Sequence, residues 1–264
     1  MVNQLKYLVG AICTIPLLPL MYIQGKQIRA KVPSLPEATG NEGIIDATKQ
    51  ADFQLLAIGE STVAGVGVKT HEEGFTGTLA KTLAQKSGKN IRWKVYAKSG
   101  ITAKRVPAEL IATITEPKAD LIVIGLGAND AFEGNSPNTW RKGIEQTLAA
   151  LRAKFPKTPI FFANMPPIKE FPAFTPLIKQ TIGNLVELHG QELQQIIAHQ
   201  PAIFYNAEIL WLKDWLKGAL ANKTVHDFFS DGVHPSKLTY QEWAKDFAAF
   251  IELKIAFQIK RKIS

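Results

Sequence analysis

Five residues in this chain have the types and the order that acyl-group chemistry requires. Ser61 follows the apolar run Leu55-Leu56-Ala57-Ile58 and Gly59-Glu60. Gly100 stands in the stretch YAKSGIT, Asn129 in GLGAND, and Asp231 and His234 in SDGVHPS. A serine hydroxyl is a weak nucleophile until a neighbouring base takes its proton, and His234 is the candidate base. Asp231, three residues earlier, can reach the far ring nitrogen across a turn, fix the tautomer and stabilise the imidazolium. A tetrahedral oxyanion needs donors already in place. The backbone N–H groups of Ser61 and Gly100 and the Asn129 side-chain amide could supply three, and a glycine at 100 keeps a Cβ out of the way. Each feature alone is ordinary. A serine after a strand usually caps a helix or closes a turn, and a lone Asp-x-x-His occurs often.

What raises the set above its parts is the element each residue follows. Short apolar runs at 53–59, 91–97, 120–127, 159–165 and 202–207 read as strands, rich in β-branched and aromatic residues and bounded by Gly, Pro, Asn or Asp. Between them, 75–88, 102–115, 138–155 and 177–199 carry apolar residues at helical spacing, and a last helix is expected over 236–254. Strands that are almost continuously apolar, alternating with helices, predict a parallel sheet covered on both faces. In such sheets ligands gather at the carboxyl ends of the strands. Ser61, Gly100 and Asn129 each follow a strand, and Asp231 and His234 precede the last helix.

With the residues in this order, the chain resembles the SGNH hydrolases, also called GDSL-type esterases and lipases. Gly59-Glu60-Ser61-Thr62 is similar to the first family motif, Gly100 to the isolated glycine of the second, Gly127-Ala128-Asn129-Asp130 to the third, and Asp231-Gly232-Val233-His234 to the last. The resemblance spans about residues 53–252. It implies a flavodoxin-like three-layer α/β/α sandwich with a five-stranded parallel sheet, and ester hydrolysis through an acyl-serine without a metal or other cofactor. It implies Ser61 as nucleophile, His234 as base, Asp231 as its orienting acid, and Ser61, Gly100 and Asn129 as the oxyanion hole. One position departs: Glu60 stands where the family usually has Asp, an acid that holds the turn through hydrogen bonds, so a longer side chain must find other donors.

Other candidates carry less. His71, His189, His199 and His226 share no metal-ligand spacing, Asp227 lies seven residues before His234 rather than three, and Gly65-Val66-Gly67 lacks the third glycine of a phosphate loop. The segment 165–176 places Ile168, Phe171 and Phe174 after the fourth strand, either as an apolar wall for an acyl chain or as a Pro-rich loop packing its own aromatics. The expected substrate is a carboxylic ester, an acyl or lysophospholipid-like ester ahead of an O-acetylated carbohydrate. The reading from a different class is a non-catalytic binding module on the same fold, supported by Glu60.

The 264 residues are 46% hydrophobic and carry a net charge of +8. That charge sits at the two ends: Lys6, Lys26, Arg29 and Lys31 in the first 31 residues, and Lys254, Lys260, Arg261 and Lys262 in the last eleven, with no acid in either stretch. A neutral body with basic ends argues against nucleic acid as partner and suits an anionic lipid surface. Residues 7–23 are uncharged and mostly apolar, with Tyr7 and Tyr22 at the ends, as in a short membrane helix. A cleaved signal peptide fits less well, because the residues that follow offer no small-x-small site. Three positive residues after the segment and one before it lean the body to the cytoplasmic side by the positive-inside rule. The expected organisation is an anchor with its basic flank over 1–31, a linker over 32–52, the hydrolase domain over 53–257 and a basic tail over 258–264. Cys13, the single cysteine, allows no intrachain disulfide.

Overall fold

The computed structural model describes residues 2–45, 53–217 and 220–263, the last eight of these through their backbone. The strands form where the apolar runs lie: β2 (Phe53–Gly59), β3 (Ile91–Ala97), β4 (Leu121–Gly125), β5 (Ile160–Phe162) and β6 (Ile203–Tyr205). They are parallel, in the order β3-β2-β4-β5-β6, with β2 at the centre of the early pairing, Leu56 opposite both Lys94 and Ile122. The alternation predicts such a parallel sheet, and its order is the flavodoxin-like one that the family resemblance implies. The edge carries one further strand, β1 (Glu42–Ile45), antiparallel to β3. It lies within the stretch read as a linker. Gly43 is required there because a Cβ would stand 2.5 Å from the Trp93 ring. Just before it, Ala38 N–H donates to Ala64 O at 2.9 Å and His71 N–H to Thr39 O at 3.0 Å, so this stretch is tied to the body.

Alternation along the strands sends successive side chains to opposite layers. Leu56, Ile58, Ile122, Ile124, Ile160 and Phe162 face one core, with Trp140, Ile144, Leu148 and Leu151 of α6 (Pro137–Lys154) and Leu193 of α7 (Pro176–Ile197). Leu55, Ala57, Leu121, Val123 and Phe161 face the other, against α3 (Phe75–Ser87) and α9 (Lys237–Ile263). The inward stripe of α9 is Tyr240, Trp243, Ala244, Phe247, Ala248 and Ile251, at the spacing of one helix face. The helix continues past the expected end at 254, so the basic stretch through Ile263 extends it.

The region 102–115 is not one helix. It holds only α4 (Val106–Glu109) and a 3-10 turn at Ile111–Thr113. Pro107 sits in the first turn, where proline is tolerated, but the β-branched run Thr113-Ile114-Thr115 and the nearby Pro117 stop propagation. Shortness here has a use: it keeps the chain after Gly100 at the rim of the sheet.

At the N-terminus, α1 (Val2–Thr14), a 3-10 turn at Ile15–Leu17 and α2 (Leu18–Lys31) make one helical rod, bent where Pro16 and Pro19 interrupt its backbone bonds. Leu56 is fully buried in the central strand. Leu56→Ala should lower unfolding free energy by about 2–5 kcal/mol, read from urea denaturation, with the denaturant slope unchanged.

Candidate active site

The carboxyl ends of β2, β3 and β4 are brought together by small residues. A Cβ on Gly59 would come within 2.3 Å of Gly125 O, so the ends of β2 and β4 approach each other only with glycine there. The chain then turns through residues 60–67, closed by Ala64 N–H to Glu60 O at 2.8 Å and Val66 N–H to Ser61 O at 3.0 Å. Ser61 is half-buried in this turn, and its hydroxyl makes no hydrogen bond among the described residues. A free hydroxyl fits a nucleophile whose bond to its base tightens only when substrate arrives.

Glu60 solves the problem its length poses by reaching across to the next strand end. Its carboxylate is 2% exposed and accepts Ala128 N–H at 2.9 Å and Asn129 N–H at 3.0 Å, one to each oxygen. These are first-turn donors of the short helix α5 (Ala128–Phe132), which has no side-chain cap of its own. Burial raises the Glu60 carboxyl, the two N–H donors oppose it, and the balance is a value of about 7. The side chain that departs from the family pattern thus holds the backbone of Asn129.

Asp130, next to Asn129, works the other way. It is 1% exposed, and it accepts Ala103 N–H at 2.8 Å and the Asn135 amide at 3.0 Å. Burial lifts it to about 6 against those donors. It therefore fixes the chain after Gly100 to α5, and Asn129 Nδ2 adds a bond to Ile101 O at 3.1 Å. Gly100 itself has φ +77° and is exposed. Neither its N–H nor that of Ser61 has a protein partner among the described residues. The same loop is held from outside by Ser99 N–H donating to Glu37 at 2.6 Å and by Arg105 Nη1 donating to Gly100 O at 3.3 Å. Sequence reasoning passed over Asp130 and Glu37. The acid after Asn129 was the available signal for the first, while nothing local marks the second.

Asp231 and His234 meet as their spacing requires. His234 Nδ1 lies 2.7 Å from Asp231 Oδ2, while Asp231 Oδ1 accepts the N–H groups of Val233 at 2.9 Å and His234 at 2.7 Å. The Asp231 side chain is fully buried and the His234 side chain 25% exposed. Burial pushes Asp231 up, but the His234 ring and the two N–H donors outweigh it and hold the carboxyl below the ordinary value. An ionised acid on Nδ1 leaves Nε2 as the nitrogen that can accept a proton. Gly232, at φ +86°, makes the turn that allows this return contact.

The serine turn and the histidine loop are also tied to each other. Ser230 Oγ lies 3.0 Å from both Gly67 O and Pro235 O, and a Cβ on Gly67 would come within 2.4 Å of Pro235 O. Tyr240 donates its buried hydroxyl to Val66 O at 2.8 Å. Of the glycines in Gly65-Val66-Gly67, Gly67 serves this close approach, while Gly65 lies against Ala38 and His71. Asp227 is engaged elsewhere, accepting Thr224 N–H at 2.7 Å. His189 is fully buried, stacked on Trp140 and bonded to Asn135 O at 2.8 Å, and burial lowers it to about 4, so it is neutral. His71 is buried, and His199 and His226 are exposed. Among the described residues no cluster of three His, Cys, Asp or Glu is placed to hold a metal ion.

A narrow apolar cavity of about 50 Å³ lies beside the site, walled by Thr62, Phe171, Leu210, Trp215, Phe229 and Pro235 among others. Phe171 reaches it from a small buried core that it shares with Ile168, Ala131 and Val186, and Phe174 packs on Phe132 and Phe171.

An Asp–His pair and a serine whose hydroxyl has no hydrogen-bond partner among the described residues thus lie on loops joined to each other beside the carboxyl ends of this sheet. The chain belongs to the GDSL-like lipase/acylhydrolase family, whose model matches residues 57–242. It is 32% identical over 130 residues to esterase TesA of Pseudomonas aeruginosa, covering 49% of this chain and 64% of that protein. It is 37% identical over 93 residues to a GDSL-like esterase of Mycobacterium tuberculosis, covering 34% of this chain and 30% of the relative. The matches therefore span less than two thirds of these relatives. Among solved structures, a lipase from a goat rumen metagenome superposes with a TM-score of 0.54 at 21% identity over 75% of this chain and 96% of its own. TesA superposes with 0.52 at 22% over 73% and 94%. These likenesses establish the fold.

The raised Glu60 carboxyl has a stability consequence. Between about pH 4.5 and 7 the folded state keeps a proton that the unfolded state has lost, so stability falls as pH rises through this window. The stability of the native chain minus that of Glu60→Gln should decline with a slope approaching roughly 1.4 kcal/mol per pH unit, and level off above pH 7. Denaturant titrations of both proteins at half-unit pH steps measure it.

Proposed function

We propose that this acylhydrolase is a serine carboxylic-ester hydrolase working through an acyl-Ser61 intermediate. The observation that carries the reading is the Asp231–His234 pair, with the acid fully buried and Nε2 left free, on the same strand-end rim as the unbonded Ser61 hydroxyl. In the reaction, His234 Nε2 takes the Ser61 proton as Oγ attacks the ester carbonyl. The oxyanion is stabilised by the N–H groups of Ser61 and Gly100 and by the Asn129 amide. His234 then protonates the leaving alcohol, activates water, and the second tetrahedral species collapses to release the acid and regenerate Ser61. Glu60 and Asp130 act on Asn129 and the Gly100 loop as positioning residues.

The apolar cavity beside Thr62 and Pro235 supports an acyl group rather than a sugar as the part recognised next to the serine. The apolar N-terminal helix supports anchorage to a membrane and hence an acyl-lipid ester as the natural substrate class.

Hydrolysis of p-nitrophenyl esters from C2 to C12 by the full chain tests the reaction. Ser61→Ala and His234→Ala should abolish it, and Asp231→Asn should lower kcat by about 10²–10⁴-fold. Full activity in Ser61→Ala would overturn the mechanism. Phe171→Leu, which widens the cavity, should raise kcat/KM for C8–C12 relative to C4 by about tenfold. An unchanged chain-length profile would remove the cavity from the substrate path.

A further inference from the structure

The rod formed by α1 and α2 is long and apolar enough to cross a membrane, with a mean hydropathy of 1.6 over its most apolar window and none of that window buried. Its least exposed positions, however, form a stripe: Asn3, Tyr7, Ala11, Thr14, Met21, Gln24, Gly25 and Ile28. That is the three-to-four residue spacing of one helix face. This face is turned to the body, and polar contacts hold it at both ends. At the start, Asn3 donates to the buried Glu192 carboxylate at 2.8 Å and Tyr7 donates to Gly134 O at 2.9 Å. Near the far end, Thr175, the N-cap of α7, donates to Gln24 at 2.7 Å. Asn3 to Gln24 spans about 32 Å of helix and Thr175 to Glu192 about 26 Å, so the rod runs antiparallel to α7, tied near both ends, with a groove of about 980 Å³ between them.

This placement conflicts with a helix that crosses the bilayer. The hydrocarbon layer is about 30 Å thick. A rod crossing it while docked at both ends would carry α7 inside, including Gln180, Asn184 and Gln191, all exposed beside the rod, and Glu187. Polar and charged groups of that kind are excluded from lipid unless buried in protein. The opposite face of the rod suits a surface instead. Val2, Leu5, Val9, Ile12, Tyr22 and Ile23 are each at least half exposed, and Lys6, Lys26, Arg29 and Lys31 flank them without a single acid, while Ile15 and Leu18 line the groove toward α7. An apolar face flanked by cations is the chemistry of a helix lying in the headgroup layer of an anionic bilayer.

We propose that residues 2–31 form an in-plane anchor, tied to the body through Asn3, Tyr7 and Gln24 and resting on an anionic lipid surface, so that the N-terminus and the body lie on the same side of the membrane. The proposal rests on the membrane-anchor reading above, and the two can fail separately. The test uses the full chain in a Cys13→Ser background, with Lys6→Cys, on the polar flank of the rod near its start, or Lys157→Cys as single reporters at exposed sites. Each protein is bound to vesicles of phosphatidylglycerol and phosphatidylcholine and treated with a membrane-impermeant maleimide before and after detergent. The expected result is flotation with the vesicles and labelling of both reporters to the same extent without detergent. Flotation with Lys6→Cys labelled only after detergent, while Lys157→Cys labels at once, means a crossing helix and overturns the in-plane arrangement alone. No flotation overturns the anchor reading together with it.

Discussion

The interaction on which the site depends is the Glu60 carboxylate, which spans the gap between two strand ends. A parallel sheet delivers its strands to a common rim, but it does not bind the loops beyond that rim to one another. Glu60 leaves the end of β2 beside Ser61 and takes the first two N–H groups of α5, beyond β4. The contact is made without water around it, which is why the carboxyl titrates so far above its usual value. Two donors to a buried acceptor are costly to lose, so the relative position of Ser61 and Asn129 is firmly set. Asp130 repeats the device between α5 and the chain after Gly100. The three candidate oxyanion donors are thus joined pairwise by two buried acids.

The proposed base arrives from a separate part of the chain and is attached differently. The loop carrying Asp231 and His234 has no strand beneath it. It is located by Ser230 against Gly67 and Pro235, and by α9, whose Tyr240 reaches the backbone of the serine turn. Contact at Gly67 is so close that only glycine fits. Acids align the electrophile-binding side and steric fit aligns the proton-transfer side, with the serine turn common to both.

Much of this was legible in the sequence. β2 and β3 begin and end where the apolar runs do, because these strands are buried on both faces and their hydrophobic runs have little else to be. The places of the candidate site residues were legible because strand ends and the last helix fix their order in space. What was not legible depended on contacts distant in sequence. Glu42–Ile45 is too short and too polar to declare itself as a strand, and it exists because β3 offers an unpaired edge. The stretch 102–115 has helical spacing, but its β-branched end and Pro117 outweigh it. The length of Glu60 read as a defect, since only the structure shows donors two strands' ends away at the distance a glutamate reaches. The apolarity of residues 7–23 is plain in the sequence, but the hydrogen bonds that tie the rod to the body at Asn3, Tyr7 and Gln24 involve partners more than a hundred residues further on.

The most direct test of the central claim is covalent labelling by a fluorophosphonate, with the modified residue located by peptide mass spectrometry. The account expects stoichiometric phosphonylation of Ser61, and a labelling rate lowered at least a hundredfold in His234→Ala, since the hydroxyl is unreactive without its base. A folded protein that stays unlabelled, or one that labels at Ser61 equally fast without His234, would contradict it.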